Sequence, residues 1–304
     1  MKTLPRLLIR LLATVMVTSL VFSACKKQDD DSSGASGKEE FATVASESDA
    51  AAEVVFDDVF NNVLGVSNEV GIGGTGVFGR VDVSSGSTNR VEGVDSTTCY
   101  AVTTKQLSAI RFPLQITVDF GSGCTGRDGR TRKGKIIVTY TGHLFLPGQS
   151  ATTSFDGYYL EDIKVEGTYK LTNTGTGTTD KKSYTTQITN AKLSQSNGDY
   201  IQWNSEKTIM QIEGAATPLI GIDDAYYITG KSGGSVQKDG KYFQWSTLIT
   251  APLTKRFTCR WIAKGTINLK KGNDAVAVLD YGSGSCDNKA SFTVNGGIHE
   301  ITLH

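Results

Sequence analysis

The sequence predicts an all-β protein, a mainly antiparallel β-meander or sandwich with one N-terminal amphipathic helix. Three observations predict it. After about residue 77 the period of the apolar residues changes from 3.6 to 2. Asn-Gly, Asp-Gly and Gly-Gly pairs separate the later segments, as in "KDGK" at 238–241. The spacing between segments leaves no room for the crossover helices that a parallel sheet needs.

The one helix is predicted at residues 48–64, with Ser48 as its cap and Gly65 at its end. Its apolar residues recur at helical spacing and form one face: Phe56, Val59, Phe60, Val63 and Leu64. Four polar residues are expected to point away from that face: Asp57, Asp58, Asn61 and Asn62. We therefore expect this helix to pack against a sheet.

The strands are predicted where apolar and polar residues alternate. Eleven such segments lie at 115–120, 135–142, 163–173, 184–193, 200–212, 225–231, 241–249, 260–270, 275–281, 290–294 and 299–303. Together they make residues 77–304 an antiparallel β body.

The N-terminus has the pattern of an export signal. Basic residues precede an apolar run at 11–22 that is too short to span a bilayer, so residues 1–24 are predicted to be a signal peptide. "FSAC" places small residues before Cys25, which resembles the lipobox of bacterial lipoproteins. By that resemblance Cys25 becomes the mature N-terminus and carries the acyl chains.

The segment after Cys25 is expected to be a spacer. It opens with the acidic run "KKQDDD", and residues 25–47 are predicted to form a flexible acidic and Ser-Gly tether. The helix and a glycine-rich connector then fill residues 48–76. "GIGGTG" at 71–76 fits G-x-G-x-x-G by letter, but it follows a helix and opens a strand-like stretch, so no cofactor is predicted.

A repeated unit pairs the remaining cysteines. "VDFGSGC" ends at Cys124 and "LDYGSGSC" ends at Cys286, while Cys99 and Cys259 stand at similar distances upstream. Four cysteines in an exported chain indicate two disulfides, of which three connectivities are possible. Because each unit has the pattern of a hairpin between its cysteines, we predict Cys99–Cys124 and Cys259–Cys286 across the hairpin mouths.

The aspartates of the same units are weak calcium candidates. Asp119 and Asp128 flank the first glycine-rich turn, and Asp280 and Asp287 flank the second. Calcium prefers several oxygen ligands, but the two copies space their aspartates differently, and neither matches an EF-hand. The aspartates are better suited to accept hydrogen bonds from turn amides, so no metal is predicted.

A second, shorter repeat suggests a surface for ligands. "GDYIQW" at 198–203 matches "GKYFQW" at 240–245. The aromatic residues Tyr200, Trp203, Tyr242 and Trp245 are candidates for glycan binding, although aromatic residues in strands also serve as core. In a strand the tyrosines and the tryptophans face opposite sides.

The composition narrows the function. Without residues 1–24 the chain has 28 basic and 31 acidic residues, a net charge of −3, so no nucleic-acid partner is predicted. Histidine is scarce and no catalytic motif stands out, so the chain is not expected to be an enzyme. The less favoured alternative is a polysaccharide hydrolase that uses two of four carboxylates: Asp156, Glu161, Asp162 and Glu166.

The combination of features resembles a known group. The lipobox with its acidic follower, the helix, "DFGSGCTGRDGRTRKGKIIVTYTG" at 119–142 and the segment 259–303 are similar to Bacteroidota cell-surface lipoproteins that have no assigned activity. The resemblance implies an outer-membrane lipoprotein, at the cell surface or alternatively on the periplasmic face. Its expected partners are the membrane, through acyl chains on Cys25, and a glycan or another envelope protein. The predicted role is structural or binding, with surface glycan binding as the first alternative.

Overall fold

The structure, a computed structural model of the chain, describes residues 30–67, 69–71, 76–78, 99–126, 128–176, 181–217 and 223–303. The predicted signal peptide, Cys25 and most of the glycine-rich connector lie outside these ranges. The chain divides into two units, Met1–Glu40 and Phe41–His304. In the first unit residues 30–40 are helical, and the side chains of residues 36–40 are exposed.

The described residues form one long helix, one short 3-10 helix and fourteen strands. Helix α1 spans Asp30–Gly65, and the 3-10 helix spans Gly76–Phe78. In the described ranges no helix is both long and apolar enough to cross a bilayer. The strands are β1 Ala101–Gln106, β2 Leu114–Asp119, β3 Cys124–Thr125, β4 Thr131–Tyr140, β5 Ser150–Leu160, β6 Ile163–Asn173, β7 Ser183–Ser194, β8 Tyr200–Glu213, β9 Ala225–Lys238, β10 Lys241–Arg256, β11 Lys264–Lys271, β12 Asp274–Ser283, β13 Lys289–Val294 and β14 Gly297–Thr302.

All fourteen strands belong to one open antiparallel sheet. Each strand pairs with its neighbours in the sequence, except that β2 pairs with β4. The short β3 pairs with the start of β4, beyond the part of β4 that pairs with β2. The predicted all-β class is therefore confirmed, and the arrangement is a meander rather than a sandwich. Each of the eleven predicted segments overlaps a strand.

The predicted hairpin turns are present. Asp239 and Gly240 join β9 to β10 with φ values of 50° and 78°, and Asn295 and Gly296 join β13 to β14 with φ values of 51° and 80°. Two-residue hairpins of this hand need positive φ at both central positions, which explains the Asp-Gly and Asn-Gly pairs.

A line of β-bulges crosses the middle of the sheet. The registers of β4–β5, β5–β6, β6–β7 and β7–β8 each shift, and a residue with positive φ stands at each shift: Gly134, Gly157, Gly167 and Asn190. A Cβ on Gly134 would lie 2.0 Å from the Gly157 carbonyl oxygen, so only glycine fits there. Bulges bend strands and increase their twist, and this line therefore curves the sheet.

The curved sheet encloses the helix. From Phe41 to Gly65 no residue of α1 is exposed. Phe56 stacks on Trp203 of β8 with ring centroids 5.7 Å apart, and Phe60 meets Tyr226 of β9 at 6.0 Å. The hydroxyl of Tyr140 in β4 donates to the Val63 carbonyl at 2.9 Å. Strands well separated in the meander thus contact the same helix, and the helix forms the centre of the core.

The helix is longer than the predicted segment 48–64, because it begins at Asp30. Ser48 is not its cap: the Ser48 hydroxyl donates to the Val44 carbonyl at 2.7 Å, a bond within the helix. The apolar face also begins earlier, since Phe41, Ala42 and Ala45 are buried.

Two polar residues predicted to point away from the core lie inside it. Asp58 is 2% exposed and Asn62 is 3% exposed. Asp58 binds the guanidinium groups of Arg130 and Arg132 at 2.9 and 2.5 Å, and the Asn62 amide oxygen accepts the Val77 N–H at 2.8 Å. Buried polar groups need such partners, and here they come from distant parts of the chain.

Acidic residues of the helix bind cations of the sheet at two further places. Glu53 pairs with Lys207 of β8, and Asp57 pairs with Lys255 of β10. Burial by itself raises the pKa of Asp58, but Arg132 and Arg130 outweigh it and hold the pKa of this carboxyl below its usual value. The helix and the sheet are therefore joined by charges as well as by aromatic packing.

Both predicted disulfides are present. Cys99 bonds Cys124 and Cys259 bonds Cys286, with Cα atoms 5.3 and 5.6 Å apart. The second bridge spans the open end of the β11–β12 hairpin, as predicted for a hairpin mouth. The Cys99–Cys124 bridge joins β3 to the segment that leads into β1.

Candidate functional site

The short aromatic repeat is placed symmetrically about strand β9. Trp203 of β8 and Trp245 of β10 are both Cα partners of Gly234. Their indole N–H groups donate to the same oxygen of Asp49 at 2.8 and 3.1 Å, and the Ser232 hydroxyl donates to it at 2.9 Å. The repeat thus delivers two tryptophans to one carboxylate of the helix.

The tryptophans are consequently core residues. Trp203 is 1% exposed and Trp245 is 3% exposed. A buried indole needs an acceptor for its N–H, and Asp49 provides it for both. Of the four aromatic residues predicted for glycan binding, only the two tyrosines are therefore within reach of a surface ligand.

The tyrosines lie on the outer face of the sheet, the face opposite α1. Tyr200 and Tyr242 are both Cα partners of Gln237, so they flank this glutamine. Tyr242 is 58% exposed. The ammonium of Lys192 lies 4.7 Å from the ring centroid of Tyr200. Because Lys192 belongs to β7, it approaches Tyr200 from the side opposite β9.

The strand registers extend this pair into a longer line, which we name the outer row. Its members are successive Cα partners on seven neighbouring strands, from β4 to β10: Lys133, Tyr159, Lys164, Ser194, Tyr200, Gln237 and Tyr242. All seven are half-buried or exposed. At the usual spacing of strands the outer row is about 29 Å long.

A second row runs beside the outer row and supplies amide groups. Its members are also Cα partners: Glu166, Lys192, Gln202, Ser235 and Gln244. The Ser235 hydroxyl donates to the Gln202 amide oxygen at 3.3 Å, and Gln202 and Gln244 are exposed. Ser235, which lies between the two glutamines, is buried.

The outer row ends at β4 in a depression of about 500 Å³. Four members of the row line it, Lys133, Tyr159, Lys164 and Ser194, and so do the turns at 161–162 and 195–196. Ser122 and Gly123 line it beyond β4. The depression is therefore continuous with the outer row.

The charges around the depression are of both signs. The Lys133 ammonium lies 4.0 Å from the ring centroid of Tyr159, and the Lys164 ammonium binds Glu166 at 2.8 Å. The hydrogen bond to Glu166 raises the pKa of Lys164. Glu161 and Asp162 add carboxylates from the turn. The depression thus offers hydrogen-bond donors and acceptors side by side.

The carboxylates considered for hydrolysis have other partners or stand apart. Glu166 is held by Lys164, and a carboxylate oxygen of Glu161 accepts the Thr131 N–H at 3.3 Å. Asp156 and Asp162 are exposed. These bonds favour a binding surface over a pair of catalytic acids.

The calcium candidates hold turns and side chains. Asp119 accepts the Gly121 N–H at 2.9 Å, and Asp280 accepts the Gly282 N–H at 2.8 Å. Asp128 binds Arg132, and Asp287 accepts the N–H of Lys289. In the part of the chain that the structure describes, no three His, Cys, Asp or Glu side chains lie close enough to hold a metal ion.

One cavity in the core of the described residues is small. A cavity of about 30 Å³ lies between the helix and the sheet, beside Glu53, Tyr169 and Lys207. This volume suits a water molecule and is far too small for an organic ligand. Burial raises the pKa of Glu53 there. The outer face is therefore the better candidate for a ligand.

Comparison of the chain with protein families, with curated proteins and with solved structures finds no match. The function must therefore be inferred from the outer row, the second row and the depression.

Of the outer row, the sequence predicted only Tyr200 and Tyr242 as candidate binding residues. For two further members, Tyr159 and Lys164, the sequence does contain a signal of their pairing. Glu161 and Asp162 form a two-residue turn, since Leu160 and Ile163 are Cα partners and Glu161 has a φ of 52°. Such a turn fixes the register of its hairpin, which would have placed Tyr159 opposite Lys164.

Proposed function

We propose that the chain is a lipid-anchored binding protein of the cell envelope that binds neutral glycan chains along the outer row. One observation carries this proposal: three tyrosines, two lysines, a serine and a glutamine stand in register on seven adjacent strands of one exposed face. A line of this length suits a chain-like ligand rather than a compact one.

The chemistry of the two rows fits sugars. A sugar ring has apolar C–H faces and a rim of hydroxyl groups, so it needs aromatic surface together with donors and acceptors. Tyr200 and Tyr242 supply the aromatic surface, and Gln202, Gln237 and Gln244 supply amides.

The balance of charge favours a neutral glycan. Near the rows three lysines stand beside three carboxylates: Lys133, Lys164, Lys192, Glu161, Asp162 and Glu166. A polyanion would meet as much repulsion as attraction on this surface, whereas hydroxyl groups bind both ammonium and carboxylate groups.

The location is inferred from the sequence. Small residues precede Cys25 and an acidic run follows it, a pattern that resembles lipoproteins exported to the outer membrane. Acyl chains on Cys25 would hold the protein at the membrane, with the β body displayed at the cell surface. A surface location would give the outer row access to glycans outside the cell.

The proposal is tested with a glycan array and the full-length protein in detergent. Linear neutral oligosaccharides such as glucans, mannans, xylans and N-acetylglucosamine chains are expected to bind. The double variant Tyr200→Ala/Tyr242→Ala should lose about 2 kcal/mol of binding free energy, roughly a thirty-fold weaker Kd, because each ring contributes about 1 kcal/mol.

Tyr227→Ala is the matched control. Tyr227 is a 41% exposed tyrosine on the same face of β9 as Gln237, ten residues away and thus about 33 Å distant along the strand. Its loss should leave binding unchanged. An array without any glycan signal, or equal effects of the control and the double variant, would overturn glycan binding and leave the structural role.

A further inference from the structure

The two ends of the outer row differ. At the β10 end Tyr242 is open to solvent, and β11 pairs with β10 only from Ser246 onward, so β11 does not continue the row. At the β4 end the row enters the depression of about 500 Å³. A chain lying along the row therefore meets an open end on one side and a pocket on the other.

The far side of the pocket is formed by a turn that is held in place. Ser122 and Gly123 belong to the turn after β2, and they line the depression beyond β4. Cys124, the next residue, is joined to Cys99 and pairs with Arg132 of β4. This turn is held by a covalent bond and by a strand, so it is unsuited to open for a continuing chain.

Backbone hydrogen bonds hold the other side of the same turn. The Gly134 N–H donates to the Gly121 carbonyl at 2.9 Å, and the Phe120 N–H donates to the Gly134 carbonyl at 2.9 Å. Phe120 itself is 1% exposed and anchors the turn in the core. The turn that borders the depression beyond β4 is thus held firmly in place.

From these observations we infer that the depression binds the end of a glycan chain, so that the protein recognises chain termini rather than internal segments. This inference rests on the glycan-binding function proposed above. A terminal sugar carries a hydroxyl group that is engaged in a linkage everywhere else in the chain. The ammonium of Lys133 and the carboxylates of Glu161 and Asp162 supply donors and acceptors for such a hydroxyl.

The test compares the binding of oligosaccharides whose ends are free with that of oligosaccharides in which one end is modified. Linear neutral hexasaccharides of glucan, mannan, xylan and N-acetylglucosamine are compared by calorimetry with two derivatives of each. One derivative is O-methylated at the linkage hydroxyl of its non-reducing terminus, and the other is reduced to the alditol at the opposite end. Binding to the full-length protein should fall at least tenfold for one of the two derivatives.

Two variants distinguish the contribution of the depression to binding from that of the outer row. Lys133→Met keeps an unbranched side chain of similar length beside Tyr159 but removes the ammonium. It should weaken binding of the unblocked hexasaccharide and abolish the difference between unblocked and blocked chains. Tyr242→Ala should weaken both kinds of chain equally. Lys231→Met is the matched control, because Lys231 is an exposed lysine on the outer face of β9 outside the rows, and it should change neither value.

Blocked chains that bind as tightly as unblocked ones would overturn recognition of the terminus while glycan binding stands. A Lys133→Met protein that keeps the full difference between blocked and unblocked chains would also overturn it. A panel in which no hexasaccharide binds would overturn this inference together with the proposed function.

Discussion

At the scale of single residues, two buried carboxylates determine how the helix is held. Asp49 accepts hydrogen bonds from three side chains of the sheet, and Asp58 binds two arginines. A buried polar group costs free energy unless it has partners: Asp58 is both paired and hydrogen-bonded, and Asp49 is hydrogen-bonded. They act at different turns of α1, so together they fix its rotation and its position along the sheet.

Replacing Asp58 by Asn should destabilise the protein by about 3–5 kcal/mol at pH 7, because two buried arginines lose a charged partner. The pKa of Asp58 in the folded state lies below its ordinary value of 3.8. The stabilising contribution is therefore present above that value and is lost as the pH falls through the lowered folded-state pKa. Urea denaturation of both proteins from pH 7 to pH 3 measures the difference between their free energies of unfolding. This difference should be constant down to about pH 4 and should decrease below it.

Asp156→Asn is the control for this measurement, since Asp156 is exposed and its substitution should change stability by less than about 0.5 kcal/mol. A gap between wild type and Asp58→Asn that stays constant down to pH 3 would contradict the assigned direction of the pKa.

The burial of Asp58 could not be predicted from its own neighbourhood. In the local pattern it falls on the polar side of a helix, and its partners stand 72 and 74 residues further along the chain. Only the curvature of the folded sheet brings these arginines to it. The cysteine pairs were predictable because the repeat itself marks the two ends of each hairpin.

At the scale of elements, the strands that alternate clearly were predicted and the others were missed. Strand β6 spans the predicted residues 163–173 without change. Strand β1 was missed because all six of its residues are exposed, so it has no apolar period. Strand β5 was missed because the bulge at Gly157 breaks its alternation.

Strand β9 shows how tightly neighbouring strands pack around the tryptophans. A Cβ on Gly234 would lie 2.1 Å from the Gln202 carbonyl oxygen, and Gly234 separates Trp203 from Trp245. Gly234→Ala should therefore destabilise the protein by about 1–3 kcal/mol, as overpacking does. Urea denaturation followed by tryptophan fluorescence measures this loss.

The same substitution at Gly37 serves as the comparison. Gly37 lies in α1 with no atom within 4 Å of an added Cβ. Alanine is the better helix former, so Gly37→Ala should leave stability unchanged or raise it by up to about 1 kcal/mol. Equal effects at the two glycines would contradict the close approach at β9.

At the scale of the whole molecule, fold class was predictable and the site was predictable only in part. Alternation and turn residues are local, and they sufficed for an antiparallel β body. The outer row depends on six strand registers at once, and the bulges near it shift four of the strand pairs. An error of one residue in any of them would move a side chain to the other face.

The proposed anchor, Cys25, lies outside the residues that the structure describes. Cys25→Ala should move the protein from the membrane fraction to the soluble fraction, because each methylene of the lost acyl chains contributes about 0.8 kcal/mol of membrane binding. Fractionation of cells followed by immunoblotting measures the shift. Ser32→Ala should leave the protein with the membrane, and a Cys25→Ala protein that stays there would exclude lipid anchoring at this residue.

The enclosed helix also constrains the order of folding. Its partners lie far downstream: Asp49 binds Trp203 at a separation of 154 residues and Trp245 at 196. A chain that emerges from its amino end therefore presents Phe56 and Phe60 long before the strands that cover them exist. Contacts between residues so far apart in the sequence form slowly. Until β10 has been synthesised, the apolar face of the helix lacks part of its cover, and a chaperone could protect it from aggregation.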